Sequence, residues 1–161
     1  MSTYSKGSCL IRTGSYESIP SDASPGLLFL KQFLPILDSL DEDPPIAQFV
    51  SPDVRFIINQ EAPTSLAKLA EMLGMRRERV RLFKHDVFKA FEIQREMGFT
   101  VIFESTSTTQ FNGDDVKLVV AEVNIWELER QENSGELQLV EARCWMDPSA
   151  IQRRAKEIFS Q

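Results

Sequence analysis

Beyond Glu78 the apolar residues of this chain stop recurring every three or four positions and begin to alternate, almost to the C-terminus. A period of two marks a strand with one buried face, whereas a period near 3.6 marks an amphipathic helix. Four strands are therefore predicted, over residues 79–94, 99–111, 116–130 and 137–146. Asn112-Gly113 and Asn133-Ser134-Gly135 fall between strands and have the turn chemistry that closes antiparallel hairpins.

The first half reads differently. Ser24-Pro25 has the form of a helix cap followed by proline in the first turn, and Leu27, Leu30, Leu34 and Leu37 follow at helical spacing, widened by Phe33 and Leu40. Pro35 lies inside that helix, where it predicts a kink. Asp43-Pro44-Pro45 starts a short helix over Ile46 to Val50, and Ser51-Pro52-Asp53 stops it. Val54 to Ile58 reads as a strand. Thr64 or Ser65 caps a third helix carrying Leu66, Leu69, Ala70 and Leu73, closed by Gly74. Asp147-Pro148 caps a last helix with Ile151, Ala155, Ile158 and Phe159 on one face. Residues 1–23 show no periodicity and read as a flexible arm, with 24–161 as a single domain. Helices followed by hairpin-linked strands give an α+β fold: a strongly curved antiparallel sheet packed on N-terminal helices, plus a C-terminal helix.

Charge and composition narrow the function classes. A net charge of −6 disfavours nucleic acid, and the dense basic patches, Arg76-Arg77 with Arg79 and Arg81 and then Arg153-Arg154, read as solvated surface. No apolar run reaches the ~20 residues of a membrane span. No signal peptide is visible, so a cytoplasmic location is expected. Cys9 and Cys144 have no metal-ligand spacing, His85 is the one histidine, and there is no Gly-rich phosphate loop. Neither a metal nor a nucleotide cofactor is expected.

The hairpins also sort side chains by face. Through the Asn112-Gly113 turn, Glu122, Asn124 and Trp126 share a face with Val101, Phe103 and Ser105. Through a turn centred on Asn133-Ser134, Glu141, Arg143 and Trp145 would join them. The other face, with Ile102, Val119, Ala121, Val123, Ile125, Val140, Ala142, Cys144 and Met146, is small and apolar apart from Glu104 and Thr106. Either face could be the concave one. If the mixed face is solvated, Glu122 and Arg143 form a weak cross-strand ion pair. If it is internal, it lines a pocket.

The element order over residues 26–159 resembles the nuclear transport factor two-like fold, and the closing segment LQLVEARCWMDPSAI is similar to that of its SnoaL-like polyketide cyclase and dehydratase group. The resemblance implies a cone-shaped domain with a pocket between sheet and helices, a homodimer through the sheet, and cofactor-free isomerase, cyclase or dehydratase chemistry, although some members only bind ligands. The run Val123-Asn124-Ile125-Trp126-Glu127 is similar to an Ala-Asn-Leu-His-Trp run of the scytalone dehydratases, which implies a pocket position for Asn124 and favours the internal reading. That family uses two pocket histidines, and this chain has one.

On this reading the substrate is an apolar small molecule of secondary-metabolite type. Glu122, with a pKa raised by its apolar surroundings, transfers protons, while Asn124 and Arg143 stabilise developing oxyanion charge. Phe56, Ile58, Phe103, Trp126 and Trp145 form the walls. His85 and Asp86 are further catalytic candidates, each with an ordinary surface or core role as alternative. The competing expectation is a non-catalytic binding or dimerisation domain of the same fold.

Overall fold

The computed structural model describes residues 8–160. In chain order it contains β1 (Cys9–Thr13), α1 (Pro25–Asp38), β2 (Val50–Ile58), α2 (Leu66–Arg79), β3 (Val80–Gln94), β4 (Gly98–Phe111), β5 (Leu118–Arg130), β6 (Leu137–Met146) and α3 (Ser149–Phe159), with short 3-10 turns at Tyr16–Ser18 and Ile46–Gln48. One six-stranded sheet has the order β1-β3-β4-β5-β6-β2, antiparallel throughout except for the β2–β6 pair. Three helices with a curved, unclosed and mostly antiparallel sheet are the α+β arrangement read from the periodicity.

Within the segment read as an arm, Cys9–Thr13 pairs with residues 89–93 of β3, and residues 1–7 lie outside the described part. The expected helix over Ile46 to Val50 is instead a single 3-10 turn, because Val50 already starts β2. Gly74 does not close α2, which continues to Arg79. That extension proves important for the pocket.

α1 fills the hollow of the sheet. Its Phe29, Leu30, Phe33 and Leu34 are buried against Val101, Phe103, Trp126, Leu128 and Leu139 of the sheet. Phe29, Phe33 and Phe103 each lie within 6.2 Å of the Trp126 ring, with tilted or edge-on geometry. The helix is pinned at its start by Glu92, fully buried on β3, whose Oε2 accepts from the Leu27 N–H at 2.9 Å and from Ser24 Oγ at 2.6 Å. Ser24 is the N-cap by position, but its hydroxyl donates to Glu92 and the carboxylate caps the backbone. Gly26 makes room for this, since a Cβ there would meet Glu92 Oε2 at 2.6 Å. The cap fixes where α1 starts, and the length of the helix then sets where Asp38 stands.

At the other end, Asp147 Oδ1 accepts from the Ser149 N–H at 3.0 Å and starts α3, which Arg154 ties to Asp114 with bonds of 2.7 and 2.8 Å.

Candidate functional site

β4 and β5 keep the expected faces but not the register of a two-residue turn, which would set Phe103 opposite Glu122: residues 112–117 connect the strands, and Phe103 pairs with Asn124 and Ser105 with Glu122. Glu122 and Asn124, each 7 % exposed, face the helices, so the mixed face of β4 and β5 is the concave one. β6 departs from the expected register. Leu128 pairs with Leu139, but Glu127 pairs with Glu141, so Val140 is an extra residue in the ladder. A bulge of one residue sends every later side chain to the opposite face. Ala142, Cys144 and Met146 therefore face inward, and Glu141, Arg143 and Trp145 do not.

The cavity between the sheet, α1 and α2 has a volume of about 280 Å³. Of the expected wall, Phe56, Ile58, Phe103 and Trp126 line it. Trp145 does not; it is 39 % exposed on the convex face. Arg143 borders the cavity, but its Nε donates to Glu141 Oε1 at 2.6 Å, and it pairs with neither Glu122 nor Asn124. Asp86 also lies outside, on the exposed side of β3, where it binds Lys84 at 2.8 Å.

The polar floor is a chain of three groups. His85, from β3, stands between two carboxylates: Nδ1 is 2.6 Å from Asp38 Oδ1 and Nε2 is 3.1 Å from Glu122 Oε2. The His85 backbone N–H adds a 2.7 Å bond to Asp38 Oδ2, which fixes the carboxylate in two directions. Glu122 Oε1 accepts from Ser107 Oγ, and Oε2 receives longer contacts from Asn124 Nδ2 at 3.5 Å and Cys144 Sγ at 3.8 Å. Asn124 Nδ2 also donates to Ser105 Oγ at 3.3 Å. Each strand contributes one layer: His85 stands opposite Ser107, and Ser105 opposite Glu122.

Burial alone would push the His85 imidazolium to lower pKa, but hydrogen bonds to Asp38 and Glu122, with their charges, outweigh it and raise the pKa to about 9. Burial likewise opposes ionisation of Glu122, yet the bonds from His85, Ser107 and Asn124 leave its pKa below the ordinary carboxylate value. The raised pKa expected for Glu122 in an apolar cone is thus reversed, and the partner responsible is His85, not Arg143. Burial and the Glu122 charge push the Cys144 thiol up to about 12, so it is a neutral wall group and not a nucleophile.

At neutral pH the floor is therefore an imidazolium held between carboxylates. Such a unit can take up a proton at the carboxylate facing the cavity and keep positive charge next to a developing anion. Among the described residues no group of three or more His, Cys, Asp or Glu side chains is arranged to hold a metal ion.

Asp38 was not evident from the sequence. It is the last residue of α1, where a carboxylate meets the negative end of the helix dipole, and that mismatch was the available signal. Arg76 was also missed. It lies at helical spacing from Leu69, Met72 and Leu73, and all four line the cavity.

No family model and no curated protein matches the sequence. Solved structures do match. Nuclear transport factor 2 from Cryptosporidium parvum aligns with a TM-score of 0.58 at 8% identity, covering 76% of this chain and 92% of that one. This chain has the nuclear transport factor two-like fold. Within that fold it also matches the BvnE pinacolase from Penicillium brevicompactum, with a TM-score of 0.63, 11% identity, and coverage of 83% of this chain and 90% of that one. A SnoaL-like polyketide cyclase candidate from Shewanella denitrificans gives a TM-score of 0.59 at 13% identity, covering 81% and 96%. Among the described residues no helix is long and apolar enough to cross a membrane.

Proposed function

We propose that the protein is a cofactor-independent isomerase, cyclase or dehydratase that moves protons on an apolar small molecule bound in the cavity between sheet and helices. The observation that carries this reading is the Asp38–His85–Glu122 chain, with the Glu122 carboxylate in the wall of a largely apolar cavity. Glu122 takes a proton from a carbon beside the ligand's carbonyl, and the electron pair moves onto the carbonyl oxygen. Asn124 Nδ2, whose present bonds are long, donates to that oxygen. Glu122 then returns the proton to another carbon in an isomerisation, or to a departing hydroxyl in a dehydration. His85 with Asp38 balances the charge at each stage. The pinacolase and cyclase-type neighbours support chemistry of this kind on this fold.

A second reading, a ligand-binding domain without turnover, has one observation in its favour: both Glu122 oxygens are already engaged by protein donors. Exchange of the acidic hydrogens of 2-tetralone into D2O, followed by NMR, separates the two. The catalytic reading expects exchange above the buffer rate, falling by about 100-fold or more in Glu122→Gln, a usual size for loss of an acid–base group. Equal rates in the variant and wild type, or no acceleration by wild type, would reject it.

The convex face carries exposed Val119, Val123 and Trp145, at 62 %, 41 % and 39 %. An apolar sheet face of this kind suits a homodimer through the sheet. The two free thiols, Cys9 and Cys144, suit a reducing compartment such as the cytoplasm.

A further inference from the structure

Besides Arg143, which Glu141 engages, the cavity holds a charged group that the proton-transfer chain does not use. Arg76, on α2, lines it together with Leu69, Met72 and Leu73. Its guanidinium lies 4.0 Å over the Phe83 ring, whose centroid is in turn 5.3 Å from that of His85. One amino group, Nη2, donates to the Leu37 carbonyl at the end of α1. Nε is buried with no hydrogen-bond partner, and among the described residues no carboxylate forms an ion pair with Arg76.

Several other arginines of this protein have carboxylate partners. Arg154 binds Asp114, Arg95 binds Glu127, and Arg55 and Arg143 share Glu141. A guanidinium withdrawn from water without an anionic partner is costly, and burial accordingly lowers its pKa to about 10, against the pull of Asp38. The Leu37 bond accounts for Arg76 as a brace between α2 and α1, but it uses one of five N–H groups. Arg76 borders the same space as Leu34, Leu37, Phe56 and Trp126, with Glu122, His85 and Asn124 also in its wall.

We infer that Arg76 is an anion subsite of this cavity, and that the natural ligand is an apolar carboxylic acid whose carboxylate meets the guanidinium while its skeleton fills the apolar space. A carboxylate fits because it can take two parallel bonds from one guanidinium edge, and because it supplies the charge that the surrounding residues withhold. The inference rests on the reading of this cavity as a ligand pocket, but not on turnover by Glu122.

The test compares 2-naphthoate with its neutral isostere 2-naphthamide, each titrated into the full chain by calorimetry. Wild type binds the carboxylate about tenfold or more tightly than the amide. Arg76→Gln abolishes that preference and leaves amide affinity within about twofold, and Arg76→Lys, which keeps charge but loses the planar fork, retains only part of it. Thermal melts identify a variant that fails to fold, and in that case the lysine variant and the wild-type preference decide. Equal affinity for the two probes, no binding of naphthoate, or a preference unchanged in a folded Arg76 variant would overturn the subsite. If Glu122→Gln loses proton exchange yet binds naphthoate as wild type does, the subsite and the catalytic reading are shown to stand separately. If Glu122→Gln exchanges normally while the Arg76 preference holds, only the catalytic reading falls.

Discussion

Glu122 and Glu141 sit on neighbouring strands and are equally buried, 7 % and 8 % exposed, yet they belong to different worlds. Glu122 faces the hollow and is bound by an imidazole, a serine and an asparagine, with the cavity on its open side. Glu141 faces the convex side, where Arg55 and Arg143 reach over it with side chains 60% and 44% exposed. One extra residue at Val140 separates the two outcomes. A carboxylate's sequence neighbourhood does not set its role; the face it is delivered to does, because that face decides whether its partner can be replaced by water.

The largest effect expected from this contrast is on proton transfer, where Glu122→Gln costs about 100-fold or more and Glu141→Gln leaves exchange unchanged. Comparable losses in both variants would erase the distinction between the two faces. Next comes stability. Asp38→Ala leaves His85 buried with one carboxylate fewer, and loss of a partner from a buried pair costs about 3–5 kcal/mol, measured by urea denaturation.

A third effect is a pH dependence that only the concave face can supply. The folded pKa of His85, about 9, lies above its ordinary 6.5, so its stabilisation is complete below pH 6.5 and is lost as pH rises through 9. By the usual free energy per pKa unit, that is on the order of 3 kcal/mol. Glu122 works with the opposite sign: its lowered pKa gives stability that is present above the ordinary carboxylate range and lost on acidification. Stability should therefore be greatest between about pH 5 and 6.5 and fall toward pH 9, and Asp38→Asn should flatten the alkaline fall. A flat profile across that window in wild type would count against the buried imidazolium. The smallest effect is Glu141→Gln itself, about 1 kcal/mol, because its arginine partners are solvated and lose little when the carboxylate charge goes.

What could be read in advance follows from how local each signal was. The Asn112-Gly113 signal placed Phe103, Ser105, Glu122, Asn124 and Trp126 on one face, and they share it although the connection is longer than a two-residue turn, because the register moves by two and a shift of two keeps every side chain on its face. The turn after β5 was equally informative as far as Leu128 and Leu139, and failed only past Val140. Nothing in Leu-Val-Glu-Ala announces a bulge, so Arg143 and Trp145 were assigned to the wrong side. Asp38 and His85 are far apart in sequence, and their meeting depends on the length of α1 and on the Glu92 cap that anchors it. Arg76 was hidden in a basic cluster by the expectation that Gly74 ends α2. The helix runs on because glycine costs only about 1 kcal/mol in a helix interior, and tertiary contacts at Leu73 outweigh that.

Because the sequence contains a single histidine, one imidazole signal reports the heart of this account without ambiguity. The most direct test is a ¹⁵N NMR titration of His85. Protonation of both ring nitrogens at neutral pH, with a midpoint near 9 that falls toward 6.5 in Asp38→Asn and Glu122→Gln, is the expected result. A neutral ring at pH 7, or a midpoint near 6.5 unmoved by either variant, would contradict the carboxylate–imidazolium–carboxylate chain on which the proposed chemistry depends.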